Sequence, residues 1–409
     1  MTIKTTLPPT ADASNPYAEL FFDYIHRSLE DTLEEVKAIK DAMPDERRLQ
    51  ICHILDYGLG LPSAWESVSS LAVQSAPYME RSGDWDEWEI ILRRAVELAH
   101  DEADTDSEMA IMILLARLSQ RQNHFKQVVY YYRQVIKMAR LVENQYEEAR
   151  ACSNLGYLFI NTERIQRSET LCLYALVLFK KLNSKHGLAH THNHLGITYT
   201  KQERYTEAEY NLDLACKMWQ ALQDNHGLFL GHTNLGFLYI EKRQPDKALF
   251  YLSKAFHDAQ VSGEQMEIAK AWNNKGLFHL LFGNLIEAEA LFFKAQEIFV
   301  EKKNLIEIAK TQHNLGLMYQ YRSKWKQAYS SLQSARKNFE LLGRSYEEIK
   351  VLVALTEPSS IFNSFSPSDD SLNRLALLIG QHTNGKFEKF YHHYKKSYHD
   401  SLLNRGNSQ

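Results

Sequence analysis

Proline and glycine are scarce, 9 and 17 among 409 residues, and this counts against turn-dense all-β folds. Cysteine is scarcer still: Cys52, Cys152, Cys172 and Cys216 are scattered with no CxxC pair, so neither a disulfide framework nor a zinc knuckle is indicated. Neither sign of charge dominates. The 47 Lys+Arg and 51 Asp+Glu leave −4, which gives no general pull towards DNA, RNA or anionic lipid. No apolar run approaches the roughly 20 residues of a membrane helix, and the opening MTIKTTLPPTADASN lacks the apolar core of a secretory signal. What is present is a 44% hydrophobic complement, enough for a substantial core. A soluble chain of a reducing compartment, the cytoplasm, is expected. The length allows two or three domains or one elongated array.

Self-comparison decides between these. Five segments align without a gap: ACSNLGYLFI, THNHLGITYT, GHTNLGFLYI, AWNNKGLFHL and TQHNLGLMYQ. Their glycines, Gly156, Gly196, Gly236, Gly276 and Gly316, stand forty residues apart. Twelve residues after each comes Ser168, Ala208, Ala248, Ala288 or Ala328. Four further on are Cys172, Leu212, Leu252, Phe292 and Leu332, and three further again are Ala175, Ala215, Ala255, Ala295 and Ala335. Stepping back by forty reaches Ala116 and Ala76, with Val128, Tyr132 and Val135, then Trp88, Leu92 and Ala95, at the matching offsets. About seven units therefore run from Trp65 to Leu342, the first two degenerate.

Within each unit apolar residues recur at three- and four-residue steps, as in YTEAEYNLDLACKMWQAL, so each reads as two amphipathic helices joined by a short polar turn. Gly and Ala at fixed offsets let helix backbones approach while Leu, Phe and Tyr fill the gaps. A single pair leaves one face bare, and stacking covers it.

The pattern resembles the tetratricopeptide repeat. Its forty-residue period is similar to the longer units of kinesin light chain, of LGN-type polarity adaptors, of bacterial peptide-pheromone receptors and of the sensor arrays of bacterial signalling ATPases. The resemblance implies an all-α, right-handed superhelical α-solenoid of helix-turn-helix repeats, capped by helices at both ends. Residues 61–345 would form the solenoid, 16–60 an N-terminal helical cap and 346–356 a capping helix. Residues 1–15 are expected to be disordered, 357–370 a linker and 371–409 a helical tail.

The resemblance also implies that the first helix of each unit lines a concave groove. On that face stand Asn154, His194, Asn234, Asn274 and Asn314. One turn earlier come Arg150, His190, Leu230, Lys270 and Lys310, and just after the glycines come Tyr157, Ile197, Phe237, Leu277 and Leu317. An amide both donates and accepts, so a ladder of them can pair with a peptide main chain of any sequence. Apolar neighbours would bury its side chains, and Lys or Arg would meet its acidic groups. In peptide-binding members of the family Asn at this position has that role. The alternative is that it bonds to the next helix. Lys270/Asn274 and Lys310/Asn314 resemble part of a carboxylate clamp whose further Lys and Arg are not reproduced here.

His186, His190 and His194 would share one helical stripe, with His192 between them and His186 near the preceding turn. An i,i+4 pair can hold a metal, but with no nearby Asp, Glu or Cys to complete a motif they are read as groove or surface histidines, with no metal and no cofactor; metal binding and pH sensing are the alternatives. At the N-terminal end, residues 16–57 read as two helices broken at Pro44. They lack a basic recognition helix. In the tail, Gly380-Gln-His-Thr-Asn-Gly385-Lys386 approaches a phosphate-binding loop, but Phe387 replaces its hydroxyl residue, so a link between helices is expected. KFEKFYHHYKKSYH mixes aromatics with bases and reads as a cap, with a grip on nucleic acid or a membrane surface as the alternatives.

No GxSxG elbow, HExxH or complete Walker loop is found. The expectation is a non-catalytic scaffold that takes a peptide or partner segment into the groove, in signalling or complex assembly, with no membrane role. Alternatives are a peptide sensor that changes shape on binding and a nucleic-acid-binding tail. Self-association stays open.

Overall fold

Two kinds of tight turn, alternating along the chain, set the architecture. Ala103, Glu143, Asn183, Gln223, Gly263, Lys303 and Gly343 recur at forty-residue steps with positive φ, and so do Glu203, Arg243, Gly283 and Ser323. Each such residue ends a helix in the left-handed conformation. After all of them but Gly263 and Gly283 the following amide reaches back to a carbonyl in the last turn, as in Asp224 N–H to Trp219 C=O at 3.0 Å and Asn304 N–H to Phe299 C=O at 2.9 Å. The residue that closes the turn often caps the next helix. Asp104, Asn144, Ser184, Asp224 and Asn304 accept from the backbone N–H of Ser107, Glu147, Gly187, Gly227 and Glu307. A cap of this kind contributes about 1 kcal/mol. Helix end, reversal and helix start are thus compressed into about three residues.

A computed structural model describes residues 16–39, 43–82, 85–122, 124–160, 164–356, 373–375 and 377–378. Among them all regular structure is helical: α1 (Pro16–Ala38), α2 (Asp45–Gly58), a 3-10 turn (Pro62–Ala64), α3 (Trp65–Ser82), α4 (Asp86–Asp101), α5 (Thr105–Arg121), α6 (Phe125–Leu141), α7 (Gln145–Phe159), α8 (Ile165–Lys181), α9 (Lys185–Lys201), α10 (Tyr205–Leu222), α11 (Asn225–Glu241), α12 (Pro245–Ser262), α13 (Gln265–Leu281), α14 (Leu285–Glu301), α15 (Leu305–Tyr321), α16 (Trp325–Leu341) and α17 (Ser345–Thr356). No helix among the described residues is long and apolar enough to cross a membrane. The phosphate-loop-like segment, the basic aromatic stretch, residues 1–15 and the linker from 357 lie outside the described residues.

The chain divides into two compact units, residues 1–120 with 125–151, and residues 121–124 with 152–409. In the first, α1 and α2 pack against α3. Leu29, Ile51, Leu55, Val68, Leu71, Trp88, Leu92 and Ala95 join in one core, each large side chain contributing about 1.5–3 kcal/mol by burial.

In the second unit consecutive helices pack as antiparallel hairpins, and the hairpins stack. The glycine of each first helix lies against the large residue sixteen positions later. A Cβ on Gly196 would stand 2.5 Å from Leu212, one on Gly236 2.6 Å from Leu252, one on Gly276 2.7 Å from the Phe292 ring, and one on Gly316 2.6 Å from Leu332. At Gly156 the partner is Cys172, and the clash would be with its Sγ at 2.6 Å and the Ser168 carbonyl at 3.1 Å. Ala208, Ala248 and Ala288 are fully buried beside these contacts. On the second helices a second joint recurs. Glu169 pairs with Arg204 at 2.9 Å, Glu209 with Lys242 at 2.6 Å, and Glu289 with Arg322, each across to the following unit. Of the tail, Arg374 binds Glu348 at 2.8 Å, and Leu375 and Leu378 pack on Ile349, Leu352 and Val353 of α17.

Two substitutions test this construction by denaturant melts. Gly276→Ala must displace a fully buried Phe292 ring and should destabilise by about 1–3 kcal/mol. Lys303→Gly relieves a left-handed residue and should stabilise, by up to about 1 kcal/mol.

Candidate functional site

Stacking of hairpins brings the first helices together: α9 adjoins α11, α11 adjoins α13, and α13 adjoins α15. The residues two before each glycine fall along this row. One position earlier in each helix is a second polar series, Ser153, Asn193, Thr233, Asn273 and His313, which sequence reading passed over. The two series bond across units. Ser153 Oγ meets His194 Nδ1 at 3.0 Å, Asn234 Nδ2 donates to Asn193 Oδ1 at 2.8 Å, and Asn314 Nδ2 donates to Asn273 Oδ1 at 3.4 Å. Thr191 and Thr311 join from one turn earlier, Thr191 to Ser153 at 2.9 Å and Thr311 to Asn273 at 3.2 Å.

The ladder is therefore not uniform. His194, Asn234 and Asn314 each hold the preceding unit, and the Asn234 and Asn314 bonds each use one amide N–H. Asn154 and Asn274 are half-buried. Thr233, whose Oγ1 is buried without a partner, does not reach Asn274 in the way that Asn193 reaches Asn234. Tyr157 is 38% exposed and stacks on His194 with centroids 4.7 Å apart. Phe237, Ile197, Leu277 and Leu317 are half-buried.

Of the cationic series, Arg150 belongs to the first unit and pairs with Glu147 at 3.2 Å. Lys270 and Lys310 are half-buried. Lys310 binds Glu307 at 2.9 Å. The structure adds a further member, Lys350 of α17, forty residues beyond Lys310. Sequence reading missed it because the glycine register ends at Gly316. Burial pushes the Lys270 ammonium below the usual lysine range, against Glu307 and Glu267 and helped by Lys310. Burial, opposed by Glu347 and reinforced by Lys201 and Lys310, brings Lys350 down to about 8. Beside it, burial and then the Lys350 charge push the His313 ring down to about 3, and its Nε2 is buried without a partner.

The histidine stripe divides. His186 lies in the first turn of α9, not in the preceding link, and its Nε2 is 3.2 Å from Asp224 Oδ2. Burial alone would raise the Asp224 carboxyl, but hydrogen bonds from His186 and from the Gly227 N–H hold it well below the usual carboxylate range. The expectation that no acidic residue stands near these histidines is thus corrected: Asp224 arrives from the next unit. His192 turns away to Asn211 at 2.8 Å. Burial pushes the Cys172 and Cys216 thiols up to about 12, so neither is a thiolate at ordinary pH.

Models of the tetratricopeptide repeat match residues 188–222 and 267–341. No curated protein matches in sequence. The fold is similar to that of Rap protein complexed with competence and sporulation factor, at 12% identity over 93% of this chain and 98% of that one, with a TM-score of 0.58. It is likewise similar to NprR in complex with its cognate peptide NprX, at 17% identity, 90% and 98% coverage and a TM-score of 0.57. A signal transduction ATPase with a tetratricopeptide repeat sensor, from Pyrococcus horikoshii, matches at 11% identity over 96% of this chain and 55% of its own, with a TM-score of 0.55.

The division of labour along the row is testable by urea melts. Asn273→Ala removes the acceptor shared by Thr311 and Asn314 and should cost about 1–3 kcal/mol. Asn274→Ala should stay within about 0.5 kcal/mol of the parent. Lys350 gives a pH test. Its folded pKa lies below the unfolded value, so between about pH 8 and the ordinary lysine range the unfolded chain holds more protons and stability from this group rises with pH. The difference between wild type and Lys350→Met should grow in favour of wild type across that window.

Proposed function

We propose, on the premise that this is a tetratricopeptide-repeat protein, that it binds rather than catalyses, and that the row of first helices takes an extended peptide bearing a carboxylate. The observation that carries this reading is the cluster of Lys270, Lys310 and Lys350. Each is half-buried, and Lys310 depresses the ionisation of the other two. Glu307, Glu267 and Glu347 offset these charges only in part, since Lys270 and Lys350 still ionise less readily than usual, and a further carboxylate would relieve them. Asn274 offers both N–H and C=O to a main chain, and Asn234 is held in one orientation by its N–H to the preceding unit, whereas Asn314 is buried and serves that joint. Phe237, Leu277 and Leu317 supply apolar surface alongside. NprR was solved with a cognate peptide on a similar fold, and this likeness supports a peptide as the ligand class. A role in signalling or complex assembly is part of the same proposal.

A library of extended peptides, each with a free C-terminal carboxylate and as its amide, tests the proposal by fluorescence anisotropy. Tight binders should prefer the carboxylate and weaken as salt rises. They should lose at least about tenfold (about 1.4 kcal/mol) on Lys310→Gln or Lys350→Gln, and Asn274→Ala should weaken both carboxylate and amide forms. Binding indifferent to all three substitutions would sink the groove reading. Scattering with the best binder separates two versions: compaction favours a shape-changing sensor, no change a passive scaffold.

A further inference from the structure

We infer that His186, His190 and Asp224 form a site for a borderline divalent transition metal such as Zn(II), Co(II), Ni(II) or Cu(II), joining the first helices of two successive repeats. His186 and His190 sit one turn apart in α9, with ring centroids 5.0 Å apart and ring planes inclined at 35°. Asp224, the N-cap of α11, lies across the interface, and one potential ligand atom from each of the three lies within 4.8 Å of the others. Metal–nitrogen and metal–oxygen bonds are about 2.0–2.2 Å long, so ligands on one ion stand up to roughly 4.3 Å apart. A small rotation of the imidazoles gathers all three.

The surroundings hold the ligands in place. Asp224 Oδ1 accepts the Gly227 N–H at 2.9 Å, which fixes the carboxylate and leaves Oδ2 facing His186. The His190 ring meets the edge of Trp219, centroids 5.2 Å apart at 80°, and Trp219 is itself fully buried. Ligands anchored in this way by neighbouring groups are what a metal site requires. Two imidazoles and one carboxylate favour the borderline transition metals over Mg(II) or Ca(II), which prefer all-oxygen shells. Asp224 also supplies the negative charge that offsets two helix N-termini, whose dipoles repel a cation. The side chain of His186 is 57% exposed, so the ion has an entry path and can keep water ligands. Once bound, it would link α9 to α11 through the N-terminal ends of both helices.

The test uses the untagged full-length chain, with Zn(II) affinity measured by competition against a chromophoric chelator and Co(II) followed by its visible d–d absorption. Wild type should bind one equivalent, give a Co(II) spectrum distinct from the aqua ion, and show a rise in Tm. Outer-shell partners alone are worth about 10–100-fold in affinity, so His186→Ala and His190→Ala should each cost at least about tenfold. Asp224→Ser should do the same while keeping the helix cap, since Ser184 caps α9 in the equivalent position. His257→Ala, on α12, should change nothing. Equal affinity in wild type and all three ligand variants, or a Co(II) spectrum no different from the aqua ion, would overturn the assignment and mark the binding as adventitious.

Discussion

Everything in the second unit depends on one contact: a helix backbone stripped of its Cβ lying against a bulky side chain sixteen residues further on. At Gly196, Gly236, Gly276 and Gly316 there is no room for a methyl group, because Leu212, Leu252, Phe292 and Leu332 already occupy the space. This closeness fixes the distance between the two helices of a hairpin. The distance in turn fixes where the next hairpin can sit, and interiors packed to crystal-like density leave little freedom in either. The one small partner, Cys172, shows how tightly the geometry holds, since its sulfur still approaches the site of a Cβ on Gly156 as closely as the leucines approach theirs.

On this frame the polar side chains of the first helices do two jobs. Some join unit to unit and others, such as Asn154 and Asn274, stay half-buried, and the difference turns on a single position; in the proposed groove the second kind would meet the ligand. Adjacent residues on a helix differ by about 100° in direction, so Asn273 points to the next helix while Asn274 need not. The bonds of Asn234 and Asn314 to the preceding unit hold their amides in one orientation. A ligand would then meet groups already ordered, and ordering them is part of what binding otherwise costs.

The fold was largely legible. The glycine register, the Ala offsets and the amphipathic period are local properties of the chain, and the hairpins follow from them. The site was legible only in outline. Ser153, Asn193 and Asn273 were invisible as partners because their bonds span about forty residues and depend on how two hairpins meet. Lys350 was missed because no glycine marks its unit. Asp224 could be read as a helix cap from its place before Asn225-His226-Gly227. That it also faces His186 depends on the stacking of α9 and α11, which no pattern within one unit encodes. The caps at Asp104, Asn144, Ser184, Asp224 and Asn304 fall in one forty-residue register, broken only at Glu264, and could have been found by the comparison that found the glycines.

The three-residue links carry a consequence for how such a chain can change its length. A single inserted residue would move the left-handed position off its hydrogen bond and turn the following helix by about 100°, sending its glycine to the wrong side. Local slippage is therefore penalised everywhere in the array. Gain or loss of a whole forty-residue period, by contrast, keeps the left-handed links and the glycine contacts in register. Changes of length that preserve the packing therefore come in whole periods.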